Sequence, residues 1–175
     1  MSRHSAGFTL IELMLVVAII GVTSAIAIPG LLRARMSAHH ASAISSLRAI
    51  ASAQAVYSAS AAGGGYATLL PTLGRACPGG IEPFLSPDLT WGNNVDKSGY
   101  FITMTPGLGS VPMPPDCNGM PAFSNYYASA APIAIGETGQ KGFATNQAGS
   151  IWQDLSGLAP AEPFVTVPPD VTTIR

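Results

Sequence analysis

Glu12 is the residue near the start of the chain whose chemistry stands out, because it lies inside a long apolar run. Residues 8–32, FTLIELMLVVAIIGVTSAIAIPGLL, contain this one ionisable side chain. Placing a carboxylate in such a segment costs about 2.5–3.5 kcal/mol in a bilayer, so the group usually has a partner. No Lys, Arg or His lies within one helical turn of it. The sequence therefore predicts that the Glu12 carboxylate pairs with a group that the uncut segment does not contain.

A cut after Gly7 would supply that partner. Phe8 would then carry a free α-amine four residues before Glu12, on the same helix face. A carboxylate there also offsets the unfavourable placement of a positive charge at the N-terminus of a helix. The same pair could form between neighbouring chains, where apolar surroundings would favour one axial register. The alternative is a glutamate that reaches the membrane interface without a specific partner.

The remaining polar residues give no pattern of catalysis or of metal binding. His39 and His40 are adjacent in a predicted helix and point about 100° apart, which suits a solvated face better than one metal ion. Segment 87–96 is rich in side-chain oxygens but lacks the spacing of an EF-hand loop, which favours a polar turn over calcium. The three glycines at 63–65 lack the Lys-Ser or Lys-Thr of a phosphate loop. We therefore expect no enzyme activity, no cofactor and no metal.

The charge of the chain also argues against nucleic acid as a partner. Formal net charge is −1, and only 10% of residues are charged. Arg33, Arg35 and Arg48, with the two neighbouring histidines, form a mildly basic stretch that could meet lipid phosphates or DNA. We interpret it as ordinary juxtamembrane charge.

The elements that must position Glu12 begin with a membrane-length helix. As a helix, residues 8–32 would span about 37 Å, more than the roughly 30 Å of a hydrocarbon core. Pro29 removes a helical N–H and, together with Gly21, is expected to bend or loosen the second half of the span. The alternative is that the proline simply marks the end of the span. Residues 33–62 continue as an amphipathic helix with a narrow apolar stripe, which ends at the glycine run.

The rest of the chain, 63–175, is predicted to form a globular, β-rich head. The order of elements favours an α+β fold in which a small antiparallel sheet packs on the second half of the long helix. Residues 146–149 are typical of a hairpin turn, and the tail 160–175, with four prolines, is assigned no regular element. Four segments have strand-like composition: Tyr100–Thr105, Tyr126–Ala131, Phe143–Asn146 and Ser150–Gln153.

Two cysteines, Cys77 and Cys117, both follow the apolar run. An even number of cysteines in an exported segment favours a disulfide, which would close a loop of about 40 residues and contribute roughly 4 kcal/mol. Two separate buried thiols are the alternative.

The sequence Gly7-Phe8-Thr9-Leu10-Ile11-Glu12 resembles the N-terminus of type IV prepilins and of type II secretion pseudopilins, over roughly residues 3–60. The resemblance implies a leader, 1–7, removed by a prepilin peptidase between Gly7 and Phe8, and N-methylation of Phe8 by the same enzyme. It gives Glu12 the role of the assembly glutamate, and it places Gly21 and Pro29 where the family's helix bends on assembly. His4 would leave with the leader.

The resemblance also implies partners and a location. The expected partners are other copies of the chain in a helical filament, the peptidase, the assembly machinery and inner-membrane lipid before assembly. The chain would be a single-pass inner-membrane protein first and a periplasmic or cell-surface filament afterwards. Arg33 and Arg35 follow the span, so positive-inside counting does not predict a cytoplasmic leader, and this orientation depends on the resemblance.

Three functions are compatible with the sequence. The first is a subunit of a type IV pilus-like filament, and the second is the major pseudopilin of a type II secretion system. The third is an ordinary exported soluble protein with residues 1–27 as its signal peptide, since Ala25-Ile26-Ala27 resembles a signal-peptidase site. Against the third, Glu12 makes a poor signal-peptide core.

Overall fold

A computed structural model describes residues 7–164 and 170–174. Contacts divide the chain into two compact units, with the boundary between Arg35 and Met36. One helix, α1, runs from Leu10 to Ser60, and the strands that follow form an antiparallel sheet. The α+β fold with a long N-terminal helix and a small sheet is therefore confirmed.

The first unit contains the apolar part of α1. Apart from half-buried Ser24, every residue from 8 to 32 is exposed. Helical geometry continues through Gly21 and Pro29. Within the described residues, α1 is the one helix that is long and apolar enough to cross a membrane. A helix satisfies its own backbone hydrogen bonds, as any segment that crosses lipid must.

The second unit begins with the amphipathic part of α1, whose buried positions recur every three or four residues. This spacing places them on one face of a helix, as the sequence predicts. After Ser60 the chain turns through Gly63 and Gly64, whose φ angles are +55° and +96°. Such angles are readily adopted only by glycine, so the glycine run ends the helix. The buried residues of the face are Ala43, Ser46, Leu47, Ile50, Ala53, Gln54 and Tyr57.

The sheet of the second unit has six strands in the order β1-β2-β5-β6-β7-β8, and every neighbouring pair is antiparallel. A separate two-stranded ribbon pairs β3 with β4. A short helix α2, Leu70–Leu73, and a 3-10 turn, Pro87–Leu89, precede the sheet. The strands are β1 Asn94–Lys97, β2 Tyr100–Pro106, β3 Pro112–Met113, β4 Ala122–Phe123, β5 Tyr126–Pro132, β6 Gly142–Asn146, β7 Ile151–Asp154 and β8 Val171–Ile174.

The four strands that the sequence predicts are present as β2, β5, β6 and β7, each within one residue of its expected bounds. The hairpin turn between β6 and β7 is also present, with Gly149 at a φ of +75°. The prediction for the tail is wrong at Val171–Ile174, which forms β8 against β7. The β-branched residues of this segment suit a strand. The parts of the predicted tail at 165–169 and at 175 lie outside the described residues.

One buried amide connects helix α1 to the chain beyond the glycine run. The side-chain nitrogen of Gln54 donates to the carbonyl of Ala67 at 2.6 Å, and the Ala67 N–H donates to Gln54 Oε1 at 3.0 Å. The amide thus pairs with this backbone as a neighbouring strand would. Gln54 is fully buried, and both of its polar atoms are satisfied.

Candidate processing and assembly site

The start of helix α1 is closed by three hydrogen bonds between Thr9 and Glu12. The backbone N–H of Thr9 donates to Glu12 Oε2 at 3.0 Å, and the Thr9 hydroxyl donates to the same oxygen at 2.6 Å. In return, the N–H of Glu12 donates to the Thr9 hydroxyl oxygen at 3.3 Å. This arrangement is a capping box, which satisfies N–H groups that the first turn of a helix leaves unpaired. The carboxylate also lies at the positive end of the helix dipole.

The residues on either side of the expected cleavage point are open to contact. Phe8 is 81% exposed. A Cβ atom added to Gly7 would meet no described atom within 4 Å, and the same holds at Gly21 and Gly30. Packing among the described residues therefore does not require glycine at these three positions. Glycine there leaves room for the close approach of another molecule.

Thr9 is the site residue that sequence reasoning missed. The prediction that Glu12 has no partner in the uncut chain is wrong, because the uncharged Thr9 supplies two hydrogen bonds to its carboxylate. The Thr-Leu-Ile-Glu spacing is itself the signature of a capping box and could have identified the pair. In this uncut chain, Phe8 is joined to Gly7, so a pair between its free amine and Glu12 stays a prediction.

A second anchor lies beyond the other end of α1, where a disulfide joins two segments of the head. Cys77 and Cys117 are joined, with their Cα atoms 5.5 Å apart. The expected disulfide is therefore present. The N–H of Cys117 donates to the carbonyl of Ala61 at 2.9 Å, just beyond the last turn of α1. The bridge thus holds two distant segments of the head beside the end of the helix.

Asp116, the residue before Cys117, makes a buried polar contact with helix α1. The buried hydroxyl of Tyr57 donates to Asp116 Oδ2 at 2.9 Å. The other carboxylate oxygen accepts the N–H groups of Asn118 and Met120, at 2.8 and 2.7 Å. Burial, followed by the hydrogen bond to the carboxylate, raises the pKa of Tyr57 well above its usual value. Both members of the pair are satisfied, so this polar contact orients the loop without leaving an unpaired group.

The solvated face expected for His39 and His40 is wrong. Both rings are half-buried. His39 bonds to the carbonyl of Thr138, and His40 accepts the N–H of Gln140. Sequence reasoning missed this because the loop that covers the rings lies about 100 residues further along the chain.

Segment 87–96, which is rich in side-chain oxygens, is divided between two elements. The 3-10 turn Pro87–Leu89 is followed, after four residues, by strand β1. Asp88 lies 2.6 Å from Lys97 and so forms an ion pair with a neighbouring cation. Within residues 7–164 and 170–174, no three His, Cys, Asp or Glu side chains are grouped as metal ligands.

The N-terminal segment matches a known family model. The match, over residues 2–28, is to the prokaryotic N-terminal methylation motif, which is the signature of type IV prepilins and pseudopilins. No curated protein and no solved structure matches the chain. The matched segment contains Gly7, Phe8, Thr9 and Glu12, whereas the disulfide and the two histidines lie outside it.

Proposed function

Because the chain carries the N-terminal methylation motif of type IV prepilins and pseudopilins, we propose that it is a structural subunit of a type IV pilus-like filament. The observation that carries this proposal is the position of the motif: it covers most of the apolar segment 8–32, whose residues are almost all exposed. Exposed apolar surface of this extent requires lipid or other protein. A bilayer before assembly and neighbouring helices after assembly meet that requirement in turn.

Processing is the first step of the proposed function. A prepilin peptidase cleaves between Gly7 and Phe8 and methylates the new amine of Phe8. The free space around Gly7 supports this assignment, since the described residues leave room for a side chain there. The requirement for glycine at position 7 would then be imposed by the peptidase.

Glu12 directs assembly in this proposal. Cleavage creates a positive amine four residues away, and the carboxylate can bind the amine of its own chain or of a neighbour. In an apolar filament core, an unpaired charge is costly, so only registers that pair the two groups are favoured. Thr9 holds the carboxylate in the capping box until such a partner arrives.

The division of the chain follows from these roles. Residues 1–7 are the leader, 8–32 the membrane and filament-core helix, 33–62 its amphipathic continuation and 63–175 the head. Open space at Gly21 and Gly30 supports close helix packing between subunits, and Gly21 with Pro29 provides a point at which α1 can bend on assembly. The head would lie outside the inner membrane, where an oxidising compartment maintains the Cys77–Cys117 disulfide.

A type II secretion pseudopilus is the alternative within the same class, because the motif is the signature of both. The head of more than 100 residues and its wide disulfide loop favour the pilus by analogy alone. A strain lacking the gene separates the two. Loss of surface filaments with normal enzyme export would support the pilus, and failed export would support the pseudopilus.

Two measurements test the proposal. Mass spectrometry of the mature protein from its host should find a chain that starts at Phe8 with one added methyl group. A mature chain that starts at Ile28 would mean an ordinary signal peptide and would end the proposal. Glu12→Val should then reduce filament yield while membrane insertion stays intact. The control is Leu13→Val, which shortens a neighbouring apolar side chain without removing a charge.

A further inference from the structure

The loop between β5 and β6, residues 133–141, is held against helix α1 by two adjacent histidines. The Nδ1 atom of His39 lies 2.9 Å from the carbonyl oxygen of Thr138. The Nε2 atom of His40 lies 3.3 Å from the backbone nitrogen of Gln140. Neither contact takes part in the function proposed above, and neither depends on filament assembly.

The two rings make hydrogen bonds of opposite sense. A backbone carbonyl can only accept, so the His39 nitrogen donates to Thr138, which a neutral or a protonated ring can do. A backbone N–H can only donate, so Nε2 of His40 must be unprotonated. Uptake of a proton therefore preserves the first bond and removes the second.

The surroundings of His40 are aromatic. Its ring meets Tyr100 of β2 edge to face, with centroids 6.1 Å apart, and meets Phe143 of β6 in the same way at 5.8 Å. The Tyr100 hydroxyl, whose pKa burial raises to about 12, is neutral throughout the acid range. Neither strand therefore brings a charge to the ring.

The charges that act on His40 come from helix α1 and from the loop itself. Burial is the first cause that lowers the pKa of His40, and the charges of Lys141 and His39 add to it. The one carboxylate of the loop, Glu137, is exposed. The docked arrangement thus favours the neutral ring.

We propose that these contacts form a pH-sensitive clasp, which holds the β5–β6 loop to α1 at neutral pH and releases its Gln140 end when His40 takes up a proton. The ring binds a proton more tightly when the loop is undocked than when it is docked. By linkage, the contribution of the His40 contact to docking is fully present above the ordinary histidine pKa of about 6.5, and it is lost as the pH falls through the lowered pKa of the docked ring.

Release is confined to one part of the loop. The Tyr100 hydroxyl donates to the carbonyl of Lys141 at 2.8 Å, and the N–H of Ile133 donates to the carbonyl of Gly99 at 3.0 Å. Neither bond involves a histidine, so both ends of the loop stay attached in acid. The clasp therefore changes the head surface near Gln140 and leaves the sheet in place.

The test is amide hydrogen exchange by NMR on the full-length chain in detergent micelles, between about pH 7.5 and pH 5. The ring signals of His40 are followed at the same time, and the titration continues until the ring is protonated. After correction for intrinsic exchange, we expect the protection of the Gln140 amide to fall about tenfold as His40 titrates, as for the loss of one ordinary hydrogen bond. Unchanged protection with a protonated His40 ring would overturn the proposal without affecting the proposed filament function.

Two matched variants identify the group responsible. His40→Gln supplies an acceptor that does not titrate, so protection of the Gln140 amide should no longer depend on pH. His39→Gln keeps a donor for Thr138 and should retain the acid response of the unmodified chain. An acid response that persists in His40→Gln, or one that disappears in His39→Gln, would assign the effect to another group and reject the clasp.

Discussion

The hydroxyl of Tyr57 donates a 2.9 Å hydrogen bond to Asp116, the residue that precedes the disulfide partner Cys117. A tyrosine from the last turns of α1 thereby reaches the loop that the disulfide attaches beside the end of the helix. The loop is therefore held by two independent contacts, the covalent disulfide and the hydrogen bond between Tyr57 and Asp116. Their separate contributions can be measured.

Tyr57→Phe should lower the free energy of unfolding of the head by about 1–3 kcal/mol, because one buried oxygen of Asp116 loses its donor. Chemical denaturation of the full chain in micelles, followed by near-UV circular dichroism, measures the change. Tyr66→Phe is the control, since the described residues offer its hydroxyl no hydrogen bond. Equal losses in the two variants would show that the contact with Asp116 is not what stabilises the loop.

Reduction of the Cys77–Cys117 bridge should destabilise the head more strongly, by roughly 4 kcal/mol for a loop of this length. The midpoint of thermal unfolding with and without reductant measures the effect. The double variant Cys77→Ser with Cys117→Ser should match the reduced protein and should not respond to reductant. A midpoint that does not move on complete reduction would contradict the prediction.

Gln54→Leu should cost the head about 1–3 kcal/mol for each backbone group of Ala67 that loses its partner. Leucine fills similar volume but supplies neither the donor nor the acceptor that the amide provides. Denaturant midpoints of the variant and of Gln147→Leu, an exposed control, give the comparison. A stable Gln54→Leu protein would mean that water replaces the amide at this position.

Thr9→Ala should fray the first turn of α1, because it removes one side of the capping box at a cost of about 0.5–2 kcal/mol. Amide exchange at Ile11 and Glu12 should accelerate, while exchange near residue 47 stays constant. Thr23→Ala is the matched control, since that hydroxyl bonds back to the carbonyl of Ile19 in the middle of the helix. Equal fraying in both variants would argue against a specific cap.

The sequence predicts the elements that depend on local pattern. The spacing of Leu47, Ile50 and Tyr57 predicts the buried helix face, and the β-rich segment at Tyr100–Thr105 predicts a strand. The glycine run predicts the end of the helix. In each case the residue types within a few positions are sufficient, because one face or one turn determines the outcome.

The elements that sequence reasoning missed depend on distant partners. Strand β1 is polar at Asn94, Asp96 and Lys97, and it is a strand because β2 pairs with it. Strand β8 follows a proline-rich stretch and is stabilised by β7. His39 and His40 look like solvated residues until the β5–β6 loop covers them. No periodicity within a short window reports such contacts.

Strand β1 lies at one edge of the six-stranded sheet, and Asp96 and Lys97 lie on it. An edge strand can extend its sheet with a strand of another molecule, and charged side chains there oppose this pairing. In a filament, heads would be held at a very high local concentration, where such joining is most favoured. If the chain assembles as proposed, the charges at this edge would limit contacts between heads and leave polymer growth under the control of the N-terminal helix.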